Sequence, residues 1–326
     1  MKKALVVGIN YYKYANELDG CVNDAYEIEN VLKRHSDGTK NFDVKKMIST
    51  CEDELITYNQ LMESIEELFN DDSLVALLYF SGHGHVDNDC GYIVSSDCND
   101  ENKGVSLTEV LLCANNSRAK NKIIILDCCH AGYAGKLTMS KQESILNTGV
   151  TILAASREDQ YAIEQNGSGV FTTLLVDALN GGAADILGRI TPGSVYAYID
   201  QSLGTWAGQR PIFKTNIQQF ISLRDTQPAI SITDLRRITD FFEKPGISFQ
   251  LDPTYEPDRS FDPENKYPAP IEENVIVFKM LQKYNRINLV VPEGEEHMFN
   301  AAINSKSCKL TVLGEHYWRL IKNDNI

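Results

Sequence analysis

The sequence lacks the features that mark membrane, secreted and nucleic-acid-binding proteins. Basic residues are scarce, with 31 Lys and Arg against 45 Asp and Glu, a formal net charge of −14. A field of this sign repels phosphate backbones and attracts cationic peptides or metal ions, so nucleic acid is not an expected partner. The apolar run in MKKALVVGIN is too short for a membrane span, and no small-residue cleavage site follows it. We therefore expect a cytoplasmic protein.

Cysteine patterning and glycine-rich loops are also missing. The eight cysteines are scattered without the regular spacing of a secreted disulfide framework. No CxxC pair is present, which argues against a structural zinc site. The stretch VVGINYY has one glycine and lacks the GxGxxG pattern that cradles a pyrophosphate, so a nucleotide-binding function is weakly supported. Reactivity at the adjacent Cys128 and Cys129 is the more informative interpretation.

Apolar runs of strand length alternate with amphipathic stretches through the first two thirds of the chain. This alternation is typical of an α/β fold with a mostly parallel sheet and helices on both faces. The predicted strands are Lys3–Ile9, Leu74–Phe80, Lys122–Leu126, Val150–Ala155 and Arg210–Thr215. The predicted helices are Asn23–Arg34, Tyr58–Phe69, Ser106–Cys113, Gly169–Leu179 and Ser194–Leu203.

Composition divides the chain into three segments. Residues 1–225 are predicted to form one main domain. Six of the ten prolines fall between Pro245 and Pro270, and residues 226–270 are predicted to be a linker or wrapping arm. Residues 271–326 show two helical patterns followed by KLTVLGEHYWRLI, which resembles a small winged-helix-like α+β module. Because residues 226–326 carry 12 basic and 15 acidic residues, protein docking or regulation is expected there rather than DNA binding.

Two motifs carry the chemistry, and each directly follows an apolar strand. They are YFSGHG at Tyr79–Gly84 and LDCCHAG at Leu126–Gly132. Because the carboxyl ends of parallel strands form the binding edge of an open sheet, His83 and Cys129 are expected to meet there. A thiol needs a base to become a thiolate, and an imidazole can take that proton and later protonate the leaving amine. Backbone N–H groups of Gly84 and Cys129 are the predicted oxyanion donors.

Neither His83 nor Cys129 alone would indicate a catalytic site. A cysteine after an apolar strand is more often a buried core thiol, and a lone histidine more often a satisfied polar residue. The joint occurrence, with His83 preceding Cys129 by 46 residues, favours the catalytic interpretation.

The two motifs resemble the histidine and cysteine motifs of the caspase-like cysteine peptidases, in particular the metacaspases and bacterial orthocaspases. In caspases the histidine lies about 50 residues before the cysteine. The resemblance covers roughly residues 2–220 and includes KALVVGIN, LDGCVNDA and AASREDQYAIEQNGSGVFTTLLVDAL. It implies a caspase-like sheet of about six strands and hydrolysis of peptide bonds through a thioester.

The resemblance also implies a substrate-binding pocket formed by Asp24, Ser81 and Asp127. Two recessed carboxylates would pair with a cationic side chain, Arg by bidentate geometry or Lys as a point charge. Cleavage after Arg or Lys is therefore expected, and cleavage after Asp is not. Without the resemblance, a helix-surface or near-cap carboxylate would be the favoured interpretation of Asp24, and a turn former that of Ser81.

Activation is less well defined by the sequence. Many metacaspases require calcium, and the insert after His83 supplies the carboxylates Asp87, Asp89, Asp97, Asp100 and Glu101. An acidic turn-rich loop is more often simply solvated, so the metal ligands stay unknown and calcium dependence stays open; no other cofactor is expected. Lys136 and Lys141 could be autoprocessing sites in the loop after Cys129, although two solvated lysines are the commoner explanation.

Two classes of function follow. The first is a regulated bacterial cysteine endopeptidase of a defence or programmed-death type, acting on protein or peptide substrates with Arg or Lys at the cleavage site. The second is a catalytically latent caspase-fold scaffold that signals through a regulatory protein bound at the C-terminal module. The presence of His83, Cys129 and both pocket carboxylates favours the enzyme.

Overall fold

A computed structural model describes residues 1–87, 90–99, 101–128, 146–155, 164–165, 168–204, 210–219 and 221–326. The chain forms two compact units, Met1–Gln227 and Pro228–Ile326. In the part of the chain that the structure describes, no helix is both long enough and apolar enough to cross a membrane.

The first unit alternates strands and helices along the chain. Its strands are β1 (Lys2–Ile9), β2 (Phe42–Ser49), β3 (Val75–Ser81), β4 (Gly84–Asp87), β5 (Cys90–Ile93), β6 (Val105–Ser106), β7 (Asn121–Asp127), β8 (Val150–Ala154), β9 (Glu164–Gln165), β10 (Ser168–Gly169), β11 (Arg189–Ile190), β12 (Ile212–Asn216) and β13 (Arg224–Asp225). Its α-helices are α1 (Cys21–Lys33), α2 (Tyr58–Asn70), α3 (Leu107–Asn116), α4 (Val170–Asp177) and α5 (Pro192–Leu203).

Six of these strands form the main sheet, in the order β12-β8-β7-β3-β1-β2. All neighbours are parallel except β12, which pairs with β8 in the antiparallel direction. The central strands β3 and β7 are buried along their whole length, which explains their continuous apolar sequences. The predicted six-stranded, mostly parallel sheet is confirmed.

Helices cover both faces of the sheet because alternate strand residues point to opposite sides. Leu5 and Val7 of β1 pack in a core with α2 and α3. Ala4 and Val6 belong to a second core with α1, α4 and α5. The α2 and α3 helices begin at the capping boxes of Thr57 and Ser106, where side chains satisfy the first backbone N–H groups.

The second unit has its own antiparallel sheet and its own core. Its strands are β14 (Ser248–Gln250), β15 (Val290–Glu293) and β16 (Ser307–Leu310), in the order β14-β16-β15. Its helices are α6 (Ile232–Arg236), α7 (Ile238–Phe241), α8 (Glu272–Arg286), α9 (Met298–Ile303) and α10 (Val312–Lys322).

Residues 226–270 were predicted to be a linker or wrapping arm; from Pro228 on they belong to the second compact unit, so they are not a free linker. Strand β14 pairs with β16, and the Pro-rich segment after it supplies the buried residues Leu251 and Pro253. The ring of Tyr255 packs against that of Phe278 on α8, with 6.4 Å between centroids. Aromatic and aliphatic residues between the prolines therefore bury enough surface to fold the segment into the second unit.

The winged-helix resemblance holds only for the mixture of helices and strands. In the ending KLTVLGEHYWRLI, KL ends β16 and the residues from Val312 form α10. Thr311 caps this helix by accepting a hydrogen bond from the Gly314 backbone N–H at 2.9 Å. The Thr311 cap and the burial of Trp318 thus favour a helix for Val312–Lys322.

Candidate active site

His83 follows β3 by two residues, and the segment between β1 and α1 contacts it twice. Its backbone N–H donates to the hydroxyl of Tyr12 at 2.7 Å, and its Nε2 lies 2.8 Å from the carbonyl oxygen of Asn16. A carbonyl oxygen only accepts hydrogen bonds, so Nε2 carries the proton in the neutral ring. The lone pair is then on Nδ1, which is the nitrogen available to act as a base.

Tyr12 also packs against the imidazole, with 4.6 Å between the ring centroids. Burial raises the pKa of the Tyr12 phenol well above its usual range, so the hydroxyl stays protonated. A Cβ on the neighbouring Gly82 would lie 2.5 Å from that hydroxyl and 2.9 Å from the ring of Phe80. A larger residue at Gly82 in the SGHG motif would therefore clash with Tyr12 and Phe80.

Cys129 lies outside the described residues, and so do Lys136 and Lys141. The described chain leads up to Cys128, which is buried. Asp127, two residues before Cys129, pairs across the sheet with Ser81, two residues before His83. The Gly82 N–H also donates to the Asp127 carbonyl oxygen at 3.4 Å. The two motifs thus start from adjacent strand ends.

The three pocket residues predicted from the sequence lie together and are buried. Ser81 Oγ donates to Asp24 Oδ2 at 3.1 Å. The Gly169 backbone N–H lies 3.2 Å from each carboxylate oxygen of Asp24. A Cβ on Gly169 would collide with Asp127 Oδ2 and lie 3.2 Å from Asp24 Oδ2. Both carboxylates therefore converge on Gly169.

Two helix starts favour negative charge at Asp24. This residue lies in the first turn of α1, and Gly169 is the residue that precedes α4. The N-terminal end of a helix carries partial positive charge and unpaired N–H donors. The fold thus buries this carboxylate at a helix start, where the sequence without the resemblance favoured a helix-surface or near-cap residue.

Two residues beside Asp127, Tyr79 and Thr172, were not predicted from the sequence. Thr172 Oγ1 donates to Asp127 Oδ2 at 2.7 Å, and the Tyr79 hydroxyl lies 2.5 Å from Thr172 Oγ1. Both are buried, Tyr79 on β3 and Thr172 on α4. Both lie in stretches that carry the family resemblance, but each reads as an ordinary core position of its strand or helix.

Gly84 begins β4, which forms a small antiparallel sheet with β5 and β6. The carbonyl oxygen of His83 accepts a hydrogen bond from the Val94 N–H at 3.0 Å, which ties the end of the SGHG motif to this sheet. The assignment of the Gly84 and Cys129 N–H groups as oxyanion donors stays a prediction.

The acidic insert does not form a metal site among the residues that can be described. Asp87 pairs with Lys103, and Asp97 Oδ1 accepts from the Tyr58 N–H at 2.9 Å and from Ser95 Oγ at 2.7 Å. Over that described part, no group of three or more His, Cys, Asp or Glu residues is placed to hold a metal ion. Asp89 and Asp100 lie outside it. The described carboxylates thus do not fit a calcium site of six to eight oxygens.

The first unit is similar to known proteins over most of its length. The family model described as "Caspase domain" matches residues 1–218. Metacaspase-1 of Meyerozyma guilliermondii is 35% identical over 97 residues, which are 27% of this chain and 22% of that protein. Metacaspase-1 of Lodderomyces elongisporus is 38% identical over 89 residues, 26% of this chain and 19% of that protein. The aligned part thus spans about a fifth of the length of these curated relatives.

Solved structures match this chain at low sequence identity, and the first named here shares its fold. Protein GSU0716 from Geobacter sulfurreducens has a TM-score of 0.51 and 15% identity, covering 70% of this chain and 98% of its own. Caspase-1 from Spodoptera frugiperda has a TM-score of 0.49 and 14% identity, covering 69% and 90%. The sheet, the two motifs on neighbouring strand ends and the family match lead to one assignment. The chain belongs to the caspase domain family, that of the caspase-like cysteine peptidases, and the curated relatives named here are metacaspases.

Proposed function

We propose that this protein is a cysteine endopeptidase that cleaves proteins after Arg or Lys. Cys129 is the nucleophile and His83 its base. The observation that carries the proposal is the convergence of the buried Asp24, Ser81 and Asp127 beside the strand end that leads to His83.

The pocket chemistry favours a cationic side chain. A guanidinium can bond two carboxylates in a fixed plane, and an ammonium can lie between them as a point charge. The carboxylate of a substrate Asp would be repelled by both pocket acids, and its burial there without a positive partner is costly. This distinguishes the proposed activity from cleavage after Asp.

The reaction requires one proton shuttle and one pair of oxyanion donors. His83 Nδ1 takes the proton of the Cys129 thiol, and the thiolate attacks the scissile carbonyl carbon. The N–H groups of Gly84 and Cys129 bond the oxyanion, and His83 then protonates the leaving amine. Water, deprotonated by His83, hydrolyses the thioester and releases the acid product. General acid–base catalysis of this kind contributes roughly 10²- to 10⁴-fold in rate.

We also propose that the unit Pro228–Ile326 regulates the peptidase by binding an activator or a substrate protein, in a defence or programmed-death setting. It folds around its own core, with Phe278, Leu281 and Tyr284 fully buried. In the alternative, a latent scaffold, this unit would be the signalling part. Deletion of residues 228–326 should change the choice or rate of protein cleavage, and an unchanged profile would remove this regulatory proposal.

The activity is tested with otherwise identical fluorogenic peptides ending in Arg, Lys or Asp, with and without calcium. We expect release after Arg or Lys by the wild type, loss of more than about 10³-fold in Cys129→Ala, and no loss in the control Cys51→Ala, which removes an exposed thiol. The calcium arm decides metal dependence, and intact-mass analysis of the same samples shows cleavage at Lys136 or Lys141. Cleavage only after Asp would refute the pocket assignment, and no cleavage at all would favour the scaffold.

A further inference from the structure

We propose that Thr172 and Tyr79 are positioning residues that set the specificity for basic side chains by orienting the carboxylate of Asp127. This inference rests on the proposed function, since it concerns the same pocket. Thr172 lies outside the histidine and cysteine motifs, and Tyr79 is the first residue of YFSGHG but had no predicted role.

The directions of the two hydrogen bonds follow from chemistry. The ionised carboxylate of Asp127 only accepts, so the Thr172 hydroxyl must donate its single hydrogen to Oδ2. The Thr172 oxygen can then only accept from the Tyr79 hydroxyl, 2.5 Å away. A one-way chain therefore runs from Tyr79 through Thr172 to Asp127. Burial, with the nearby charges of Asp127 and Asp24, raises the pKa of Tyr79 well above its usual range, so the first donor keeps its proton.

The first turn of α4 reaches both pocket acids. Gly169 precedes this helix and donates its backbone N–H to Asp24, whereas Thr172, three residues later, donates to Asp127. Positions three apart lie on the same side of a helix, so one short segment fixes two carboxylates that come from different elements. The relative position of the two acids is thus set by α4.

These donors orient the acids without cancelling their charge. The Thr172 hydroxyl, the Ser81 hydroxyl and the Gly169 N–H are all neutral. A hydrogen bond on Oδ2 fixes the plane of the Asp127 carboxylate, and a planar guanidinium needs a fixed plane for paired hydrogen bonds. Loss of the donor would leave the negative charge in the pocket, but the plane of the Asp127 carboxylate would no longer be fixed.

Thr173 offers a matched control in the same helix turn. Its hydroxyl donates to the Gly169 carbonyl oxygen at 3.0 Å and makes a local bond within the chain segment. Thr172→Val and Thr173→Val therefore remove the same chemical group from neighbouring residues. Thr172→Ser keeps the hydroxyl and serves as the rescue variant, and Tyr79→Phe removes only the outer donor of the chain.

The experiment measures kcat and KM for peptides ending in Arg and in citrulline, the neutral counterpart of Arg. For Thr172→Val we expect the preference for Arg over citrulline to fall about 10- to 100-fold, mainly through KM, because a hydrogen bond to a charged group is lost. Tyr79→Phe should show a smaller loss in the same direction. Thr172→Ser and Thr173→Val should stay within about twofold of the wild type. Alkylation of Cys129 by iodoacetamide, which does not use the pocket, should proceed at the wild-type rate in each folded variant.

The outcomes separate the inference from the proposed function. If the wild type cleaves Arg peptides and Thr172→Val keeps the wild-type preference, the inference is wrong and the peptidase stands. Equal losses in Thr172→Val and Thr173→Val would also overturn it, since they would report a general change in α4. If Thr172→Val does not fold, Tyr79→Phe decides, and a wild-type preference in that variant overturns the inference. A wild type that cleaves no basic peptide defeats the proposed function itself.

Discussion

At the scale of single residues, the proposed pocket depends on Gly169, which has no side chain. Gly169 lies where the carboxylates of Asp24 and Asp127 meet, and its backbone N–H bonds the first of them. Any larger residue would occupy the space of the Asp127 carboxylate. In the proposed function, this position therefore affects both stability and substrate recognition.

Gly169→Ala should lower the free energy of unfolding by about 1–3 kcal/mol, because the added methyl overpacks a buried site. It should also reduce cleavage after Arg, since the carboxylates must move apart. The matched control is Gly193→Ala in α5, where the nearest atom to the added Cβ is Thr191 Oγ1 at 3.9 Å. That variant should be more stable than the wild type by about 0.4–1 kcal/mol. Denaturant unfolding measures both, and an unaffected Gly169→Ala would contradict the packing described here.

The sequence predicted the pocket acids but not the residues that orient them. Asp24, Ser81 and Asp127 lie in motifs with a family likeness, and the structure brings them together. Tyr12 and Asn16 contact His83 from 71 and 67 residues away, and Thr172 reaches Asp127 from 45. Such contacts depend on how the chain folds back, and no local pattern marks them.

At the scale of elements, hydrophobic periodicity predicted the long buried strands and helices well. The predicted strand Leu74–Phe80 differs from Val75–Ser81 by one residue at each end, and Lys122–Leu126 extends to Asn121–Asp127. Strand β2 (Phe42–Ser49) was missed because it is an edge strand, half exposed, with two lysines in its middle. Exposed edges carry a weaker apolar signal than central strands.

The strands of the second unit are linked by one acid. The Glu293 carboxylate on β15 bonds Ser248 of β14, and Lys309 and Ser307 of β16, with distances of 3.0 Å to Lys309 and 2.8 Å to Ser307. These hydrogen bonds, that of Ser248 first, lower the pKa of Glu293 to about 2. An unfolded chain has a glutamate pKa of about 4.3, so the carboxylate stabilises the fold above that pH and loses its effect as the pH falls toward 2.

Glu293→Gln should therefore be less stable than the wild type at pH 7, by roughly 1 kcal/mol after solvent screening of a partly exposed group. The difference should shrink as the pH falls from about 5 toward 2, because the unfolded wild-type chain takes up its proton first, near pH 4.3, and the folded chain only near pH 2. Unfolding free energies measured by circular dichroism at each pH test this. Lys309→Gln, which removes one of the three partners, should show a smaller difference at pH 7. A gap that stays constant down to pH 3 would contradict the assigned pKa.

At the scale of the whole molecule, the first unit ends close to where the composition changes. The predicted boundary at residue 225 lies two residues from the observed division after Gln227. Proline content did not predict the structure beyond that point, because proline indicates extended backbone but not whether aromatic neighbours will bury it. The net charge of −14 suits a protein that attracts cationic segments of its substrates.

The most direct test of the central claim is covalent labelling of the full chain by two peptidyl acyloxymethyl ketones, one ending in Arg and one in Asp. We predict that the Arg reagent modifies Cys129 and that the Asp reagent does not. Mass spectrometry locates the modified residue. His83→Ala should slow the labelling by about 10² or more, because the base is lost, whereas His85→Ala, which changes an exposed side chain, should not. Labelling of another cysteine, or of Cys129 by the Asp reagent in preference, would contradict the account.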